Sequence, residues 1–543
     1  MKSNLSVCLF WIIAVFTYCV AEYAPNVRID NELYQLMLRF HAVHSIALPD
    51  DIASQPLNYK GLERFFRDAD SLVNSGMLTL HEQHLLYLYQ KKYSFERNRI
   101  RWASRSGDIH IKADLDLNAD IIVKDDNAGT YLKGTIGPSL KGTIGKLSFY
   151  SGIDVWTEYF ADSVFTRSTY EPYNGVSYNV YGRETDTTNI RSADLPHGGI
   201  RYEAGRIALE TAIDKIKFGP SVDYPLTLNG LTPPITFARA ILDMEIAHYS
   251  HIAGLLKSQK DRKKYIYAHR LEFSLFDNVL QAGINEVIIT GDATNQNLGV
   301  RNKINPEDTG VVRGWEWAYL IPFVPFKFVE HYAGDRDNAA VSLDFSLWYP
   351  DKCRWYLEFL LDDMLNPLEL FSDDWGNKWA LTAGGQYFTG VFSRDLNLSI
   401  EYSHVEPWVY THFYGGSHSY THYGQSLGNP LGPNSQAISV SAEYALSRAN
   451  TIKIRYLNRA KNTSVRGGTI TDVFQDRSEV DSTQFHDSKK KKFLGDGTRY
   501  TSVPSVEWIF YPARLFSVSV RYAPEFTRED VAQKLYISGG FMF

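Results

Sequence analysis

A two-residue alternation of apolar and polar side chains recurs along most of this chain and limits what it can fold into. From Ile109 to Asn118, apolar residues at odd positions alternate with polar or charged residues at even positions. Successive side chains of a β-strand point to opposite faces, so such a segment has one apolar face and one charged face. The pattern returns at 146–158, 270–275, 396–402, 438–444 and 516–522. The chain is therefore predicted to consist mainly of strands whose two faces meet unlike surroundings.

A soluble β-sandwich and a membrane barrel both produce this alternation, and the lengths of the connections distinguish them. Short connections are predicted at 349–354, 389–395, 446–451 and 512–513, and long ones between them at 361–378, 404–436, 458–500 and 523–532. Outer-membrane barrels have short periplasmic turns and long external loops. The connections therefore favour a barrel with both termini in the periplasm of a Gram-negative bacterium.

The C-terminus and the chain length refine this interpretation. The last segment alternates from Leu535 and ends on Phe543, which resembles the signal that the outer-membrane barrel assembly machinery recognises during biogenesis. At roughly 22 to 25 residues per strand and connection, the chain beyond residue 100 supplies about 18 strands, so an all-β transmembrane barrel of about 18 antiparallel strands is predicted. Its lumen is expected to be wet, with ion pairs between neighbouring strands, and to be lined by Asp114, Asp116, Lys146, Asp154, Arg270, Glu272, Glu443, Lys453 and Arg455.

The first hundred residues differ from the rest. Lys2, an apolar run over 7–16 and Cys19-Val20-Ala21 predict a signal peptide in residues 1–21; a membrane anchor and a lipoprotein at Cys19 are the alternatives. Apolar residues at helical spacing over 59–73, and a capping box at 79–82, predict a periplasmic helical bundle in residues 22–100, ahead of a barrel in 101–543. Cys353 is then the one cysteine left, so no disulfide is expected within the mature chain.

Charge and composition exclude some functions. The chain of 543 residues carries 56 Lys and Arg against 62 Asp and Glu, a formal charge of -6. No basic excess is available to hold nucleic acid by its phosphates, so no nucleic-acid partner is expected. Aromatic residues make up 14 % of the chain, and much of this excess is expected to form the interfacial girdles of the barrel.

Several local motifs resemble those of one family. Tyr356–Asp363 and Tyr423–Asn434 resemble signature segments of the Wzi family of capsule assembly proteins, as do His269–Phe273 with Glu286, and Lys217–Pro220 ahead of Leu226–Asn229. The resemblance implies an 18-stranded outer-membrane barrel whose periplasmic helical bundle blocks the barrel mouth. It also implies a lectin, and not an enzyme, that holds capsular or exopolysaccharide at the cell surface. We expect the protein to be monomeric and to use no cofactor. The long insert over 458–500 departs from the family pattern.

A lectin needs flat aromatic faces for sugar rings, and the predicted external loop over 404–436 is rich in them. Trp408, Tyr410, Tyr414 and Tyr420 are therefore the first candidates for glycan binding. The alternative is that these rings pack on one another and fold the loop over the barrel.

Two charged pairs complete the candidate set. Asp362 and Asp363 could bond sugar hydroxyls or form a turn, but neighbours on a strand point to opposite faces and do not form a glycosidase pair. Lys490 and Lys491 lie in a basic run that could meet an anionic polysaccharide or lipopolysaccharide phosphate, or could be solvated loop charges. A porin or solute channel that the helical bundle gates or blocks is the main alternative function, and an outer-membrane enzyme is a third.

Overall fold

Eighteen antiparallel strands close into a barrel in the part of the chain that this computed structural model describes. The structure describes residues 26–49, 51–93, 100–104, 107–124, 131–160, 165–166, 187–188, 190–244, 246–258, 263–276, 278–292, 314–333, 336–474, 486–513 and 516–542. Each strand pairs with the next, and the last pairs with the first, from Lys534 opposite Lys124 to Met542 opposite Asp116. The predicted fold class is confirmed.

The barrel strands, in chain order, are β1 (Gly107–Lys124), β2 (Tyr131–Ile144), β3 (Leu147–Phe160), β4 (Ile190–Ala204), β5 (Ile207–Asp214), β6 (Ile235–Asp243), β7 (Ala247–Lys257), β8 (Lys263–Leu275), β9 (Leu280–Gly291), β10 (Asn338–Leu347), β11 (Cys353–Asp363), β12 (Lys378–Val391), β13 (Arg394–Val405), β14 (Ser435–Ala445), β15 (Asn450–Lys461), β16 (Arg499–Ala513), β17 (Phe516–Tyr522) and β18 (Lys534–Met542). Short strands also occur at Ser54–Gln55, Ile100–Ser104, Phe165–Thr166, Thr187–Thr188, Lys217–Phe218, Leu228–Asn229, Thr421–His422, Gln425–Ser426, Glu525–Phe526 and Val531–Ala532.

The alternation predicted from the sequence decides which side of the wall each residue takes. Along β5, every second residue is exposed and the residues between are buried. Ile207 and Leu209 are about half exposed and lie on the outside, whereas Glu210 and Asp214 are buried on the inside. Along β5 the outer face is therefore mainly apolar, as lipid requires, and the inner face carries the charged side chains.

Turns at one end of the barrel are short and loops at the other end are long, as predicted. Two-residue turns join β2 to β3 and β4 to β5, and Gly145 and Gly205 adopt the positive φ angles of 57° and 67° that such hairpin turns require. Two predictions are corrected here. Lys146 lies in the first of these turns and not on the strand wall, and the short connection predicted at 512–513 is the end of β16.

Three helices fill the barrel at the short-turn end: α1 (Asn31–His44), α2 (Tyr59–Ser75) and α3 (Leu80–Tyr93). Their shared core includes Phe40 and Phe65, and it also takes in Trp348 and Phe388 from the barrel. The predicted capping box is confirmed, because the Thr79 N–H donates to the Glu82 carboxylate at 2.9 Å and the Glu82 N–H donates to the Thr79 hydroxyl at 3.1 Å.

A buried arginine ties these helices to the wall. The Arg39 guanidinium on α1 bonds Glu82 at 2.8 Å, and it reaches Asp395 at 2.9 Å and Asn397 at 2.8 Å on β13. The short-turn mouth of the barrel is thus occupied by the helices. The predicted signal peptide in residues 1–21 lies outside the described residues, and the domain boundaries at 21 and 100 stay predictions.

One further helix, α4 (Phe326–Ala333), and three 3-10 turns, Trp317–Leu320, Pro367–Glu369 and Gly415–Ser417, lie in the long loops. None of the helices in the described ranges is long and apolar enough to cross a membrane.

Candidate functional site

A segment of the chain folds inward and crosses the lumen. This lumen plug is residues 215–234, the connection between β5 and β6. Its strands Lys217–Phe218 and Leu228–Asn229 form a three-stranded sheet with Ser54–Gln55, which precedes α2. Phe218 and Leu226 are fully buried among inward side chains of the wall. The plug therefore meets the helices on one side and the barrel wall on the other.

Two buried carboxylates of the wall hold the plug by its backbone. Glu401 on β13 accepts hydrogen bonds from the N–H groups of Val222, Asp223 and Tyr224 at 2.8, 3.0 and 2.6 Å. Glu358 on β11 accepts from two further plug N–H groups, at positions 221 and 226, both at 2.8 Å. A buried charge is costly unless hydrogen bonds satisfy it, and bonds to a charged acceptor are strong. The two carboxylates therefore act as clamps that fix the plug across the lumen.

A glycine allows this close approach. Gly219 has a φ of 106°, which side-chain-bearing residues rarely adopt, and a Cβ added there would collide with the Glu358 carboxylate. Burial lowers the pKa of the neighbouring Lys217 ammonium, although the charges of Glu358 and Glu401 oppose that change.

The loop over 406–434 covers the plug from the long-loop end. The hydroxyls of Tyr410 and Tyr420 donate to the plug carbonyls of Leu226 and Thr227 at 2.8 and 2.7 Å. The Asn229 side-chain amide donates to two carbonyls of the loop, at positions 426 and 428, at 2.7 and 2.6 Å. The lumen of the described barrel is therefore filled at two levels, by helices at one mouth and by the plug with its covering loop above them.

The four aromatic residues predicted to bind glycan lie inside this arrangement. Trp408 and Tyr414 are 2 % exposed, Tyr420 is 1 % exposed and Tyr410 is fully buried. Tyr410 and Tyr420 stack on each other with ring centroids 5.1 Å apart. These rings present no open face to a ligand in this structure: Tyr410 and Tyr420 pack the loop onto the plug, and Trp408 and Tyr414 pack against other side chains of the long loops. The expectation of an open aromatic surface at these positions is corrected accordingly, the packing alternative fits the geometry, and glycan binding by the four residues remains untested.

The predicted acidic pair is divided between the two faces of β11. The buried Asp362 carboxylate accepts a hydrogen bond from the Tyr410 N–H. The Asp363 side chain is 45 % exposed and lies 3.7 Å from the Lys378 ammonium. Asp362 is thus a further support for the covering loop, and the two carboxyls do not face each other.

The two lysines of the predicted basic pair also differ in their exposure. The Lys490 side chain is 78 % exposed and lies 3.4 Å from Asp373, so it remains accessible. The Lys491 side chain is 4 % exposed and lies 3.0 Å from Glu406. Burial alone would raise the pKa of Glu406, but a hydrogen bond from His404 and the charge of Lys491 lower it. Lys491 is therefore a structural ion-pair residue.

An aromatic surface that the sequence did not reveal lies at the long-loop end. The half-buried rings of Trp375 and Phe474 come from two different loops and stack with centroids 3.6 Å apart and planes 5° apart. Nearby, the partly exposed Arg466 guanidinium bonds Asp487 at 2.9 Å, and the Lys489 carbonyl accepts from the Trp375 N–H at 2.9 Å. We call Trp375, Phe474, Arg466 and Lys490 the rim patch. Only the tertiary fold brings these residues together, since no motif in the sequence connects them.

Two polar cavities lie between the helices and the wall. One, of about 320 Å³, is lined by residues that include Arg39, Glu443 and Lys453. The other, of about 330 Å³, is lined by residues that include Arg28 and Asp154, whose side chains pair at 3.0 Å. Each cavity carries both charge signs, which suits water or a small polar molecule. In the described ranges, no group of three or more His, Cys, Asp or Glu side chains could hold a metal ion.

No family model matches the sequence, and no curated protein matches it. Among solved structures, the chain is similar to Wzi, described as an outer-membrane protein involved in group 1 capsule assembly in Escherichia coli and as a carbohydrate-binding β-barrel. That similarity covers 95 % of this chain and 99 % of the other, with a TM-score of 0.59 and 13 % identity.

Two Pseudomonas aeruginosa barrels match less of the chain. OpdK, solved with vanillate, matches over 80 % of this chain and 98 % of its own, with a TM-score of 0.43 and 10 % identity. OprD matches over 80 % of this chain and 95 % of its own, with a TM-score of 0.41 and 11 % identity.

The similarity in fold to Wzi confirms the predicted resemblance to the Wzi family at the level of the fold.

Proposed function

We propose that this protein is a monomeric outer-membrane barrel that binds surface polysaccharide at its long-loop end, without enzymatic activity or a cofactor. The observation that carries the proposal is the lumen plug, which Glu358 and Glu401 hold across the barrel through five backbone hydrogen bonds. A barrel whose lumen is filled in this way leaves no path for solutes, so its partners would bind the surface of its long loops. Its similarity in fold to a carbohydrate-binding barrel supports the same reading.

The rim patch has the chemistry that an acidic polysaccharide requires. The rings of Trp375 and Phe474 stack face to face, so they would offer a sugar ring only the apolar surface that this stacking leaves accessible, and both side chains are partly exposed. The exposed Lys490 ammonium supplies a cation for carboxylates or phosphates, whereas the Arg466 guanidinium is already paired with Asp487 and Asp472. We therefore place the glycan contact at the rim patch and not at the buried rings of the covering loop.

The test is a binding measurement on purified protein in lipid nanodiscs against an array of bacterial polysaccharides, followed by titration of the best ligand. Replacing both Trp375 and Phe474 with alanine is expected to weaken binding about tenfold, corresponding to about 1.4 kcal/mol of lost aromatic contact. Phe371→Ala is the matched control, because Phe371 is 73 % exposed in the same loop as Trp375 but packs against Trp379. Equal affinity of the double variant and the wild type would remove the rim patch from the proposal, and no binding to any glycan would refute the function.

Planar-bilayer conductance addresses the channel alternative. The filled lumen predicts a silent protein at neutral pH. Discrete open steps from the wild-type protein would contradict the closed barrel and favour a solute channel.

A further inference from the structure

The outer wall of the barrel carries a polar cluster where lipid contact is expected. On β7, β8 and β9, the residues Ile252, Ala268 and Val287 pack into the lumen core with the plug. Their strand neighbours His251, His269 and Glu286 therefore point outward, since successive residues of a strand alternate.

This cluster is chemically unsuited to hydrocarbon. The His269 ring lies 3.0 Å from the Glu286 carboxylate, and the rings of His251 and His269 are 6.1 Å apart. Ionisable groups facing lipid are costly, so they require cover by protein.

A segment of the loop between β9 and β10 supplies that cover. Residues 314–333, which we call the wall segment, place the fully buried Tyr319 and the almost fully buried Phe326 against the outer wall. The Phe326 ring lies 4.3 Å from His269, between centroids, and the Phe326 N–H donates to Glu286 at 2.6 Å. The wall segment therefore lies on the outside of the barrel, directly over the polar cluster.

Outward tyrosines satisfy further backbone groups of the wall segment. The Tyr267 hydroxyl accepts from the Glu316 N–H at 2.7 Å, and the Tyr249 hydroxyl accepts from the Phe323 N–H at 3.0 Å. Non-helical backbone at membrane depth is tolerated where protein satisfies its polar groups. Tyr249 is the third residue of β7 counted from the short-turn end. The wall segment therefore extends along the outer wall almost to the short-turn end of the barrel.

The other face of the wall segment is exposed and mainly aromatic, with His331 as its one exposed ionisable residue other than tyrosine among those the structure describes. Trp317 is 77 % exposed, Phe328 is 73 % exposed and Tyr332 is 94 % exposed. The outward residues Ile284 and Leu343, on the strands that flank the loop, are 45 % and 41 % exposed. The exposed rings therefore extend the apolar outer wall.

We infer that the wall segment is a membrane-embedded cover, which shields the His251, His269 and Glu286 cluster with one face and contacts the acyl chains of outer-membrane lipid with the other. Lipid is the expected partner because the exposed rings continue the apolar outer surface of the barrel, which acyl chains contact in a membrane. Aromatic side chains are also those that membrane proteins place at the lipid boundary. This inference does not depend on glycan binding.

Nitroxide labels test the inference in the full-length protein reconstituted in lipid bilayers. In a Cys353→Ala background, single cysteines replace Phe328 and Tyr332, whose exposed positions leave the packing undisturbed. Leu343→Cys on β10 is the lipid-facing control, and Asp496→Cys, at a fully exposed loop position, is the aqueous control.

The measurement is the collision rate of each label with oxygen, which partitions into lipid, relative to a water-soluble nickel complex. The ratio at positions 328 and 332 is expected to match that at 343 and to be several-fold higher than at 496. A ratio at either position that matches the aqueous control would overturn the inference, because the aromatic face would then meet water.

Discussion

The Glu401 clamp yields the sharpest prediction about the lumen plug, through the isosteric change Glu401→Gln. Oε1 of Glu401 accepts from two plug N–H groups, and Oε2 accepts from the Val222 N–H at 2.8 Å and the Tyr356 hydroxyl at 2.6 Å. Glutamine keeps one acceptor oxygen and presents N–H donors in place of the other. The substitution therefore loses two acceptor contacts inside the lumen, where Glu401 is 2 % exposed.

The magnitude follows from the number of lost bonds. A hydrogen bond to a charged group contributes about 1.5 to 3 kcal/mol, so two such bonds amount to about 3 to 6 kcal/mol. The Tyr356 hydroxyl can turn toward another acceptor, which favours the lower end. A loss of about 3 kcal/mol in the local opening free energy corresponds to a roughly 100-fold larger open population of the plug, and so to faster exchange.

Hydrogen–deuterium exchange of the peptide covering residues 220–226, measured in nanodiscs, reports this opening. Glu443→Gln is the matched control, because Glu443 also points into the lumen but its charged neighbour is Lys453 at 4.0 Å and not the plug. Exchange is expected to accelerate in Glu401→Gln and to stay at the wild-type rate in Glu443→Gln. Equal exchange in all three proteins would refute the clamp.

Three further perturbations test the plug, its cover and the helices. Gly219→Ala is expected to destabilise the barrel by about 1 to 3 kcal/mol, because it strains a positive φ and meets the Glu358 carboxylate; a lower gel-shift melting temperature reports it, and an unchanged one contradicts it. Arg39→Ala leaves the buried Glu82 carboxylate without its guanidinium partner, which costs about 3 to 5 kcal/mol, so α1 should become accessible to protease while Arg39→Lys is affected less. Burial lowers the pKa of His422 from 6.5 to about 3, so the folded loop prefers the neutral ring and loses stability as the pH falls below 6.5. Exchange in the covering loop, corrected for intrinsic rates, should therefore rise between about pH 7 and pH 5, and a pH-independent result would argue against it.

Much of the architecture could be predicted from local patterns. The alternation of residues 109–118 predicts one lipid face and one lumen face of β1, and the connection lengths predict which end carries the long loops. The pairing of Thr79 with Glu82 could be read directly because a capping box is closed within four residues.

The site could not be predicted to the same extent. The sequence marks Trp408 and Tyr410 as aromatic residues of a long loop, but not whether that loop meets solvent or the plug. It likewise marks Lys490 and Lys491 as equivalent charges, although one is exposed and the other is buried in an ion pair. Burial of a loop residue depends on what lies beneath the loop, and for Tyr410 that is a segment almost two hundred positions away in the chain.

The sequence by itself determined the barrel, because a period of two is a property of neighbouring residues and needs no knowledge of distant ones. Only the tertiary structure decided that the lumen is filled and which aromatic rings are buried against it. Those outcomes rest on contacts such as Glu401 with Val222 and Tyr410 with Leu226, whose partners come together only after the wall has closed.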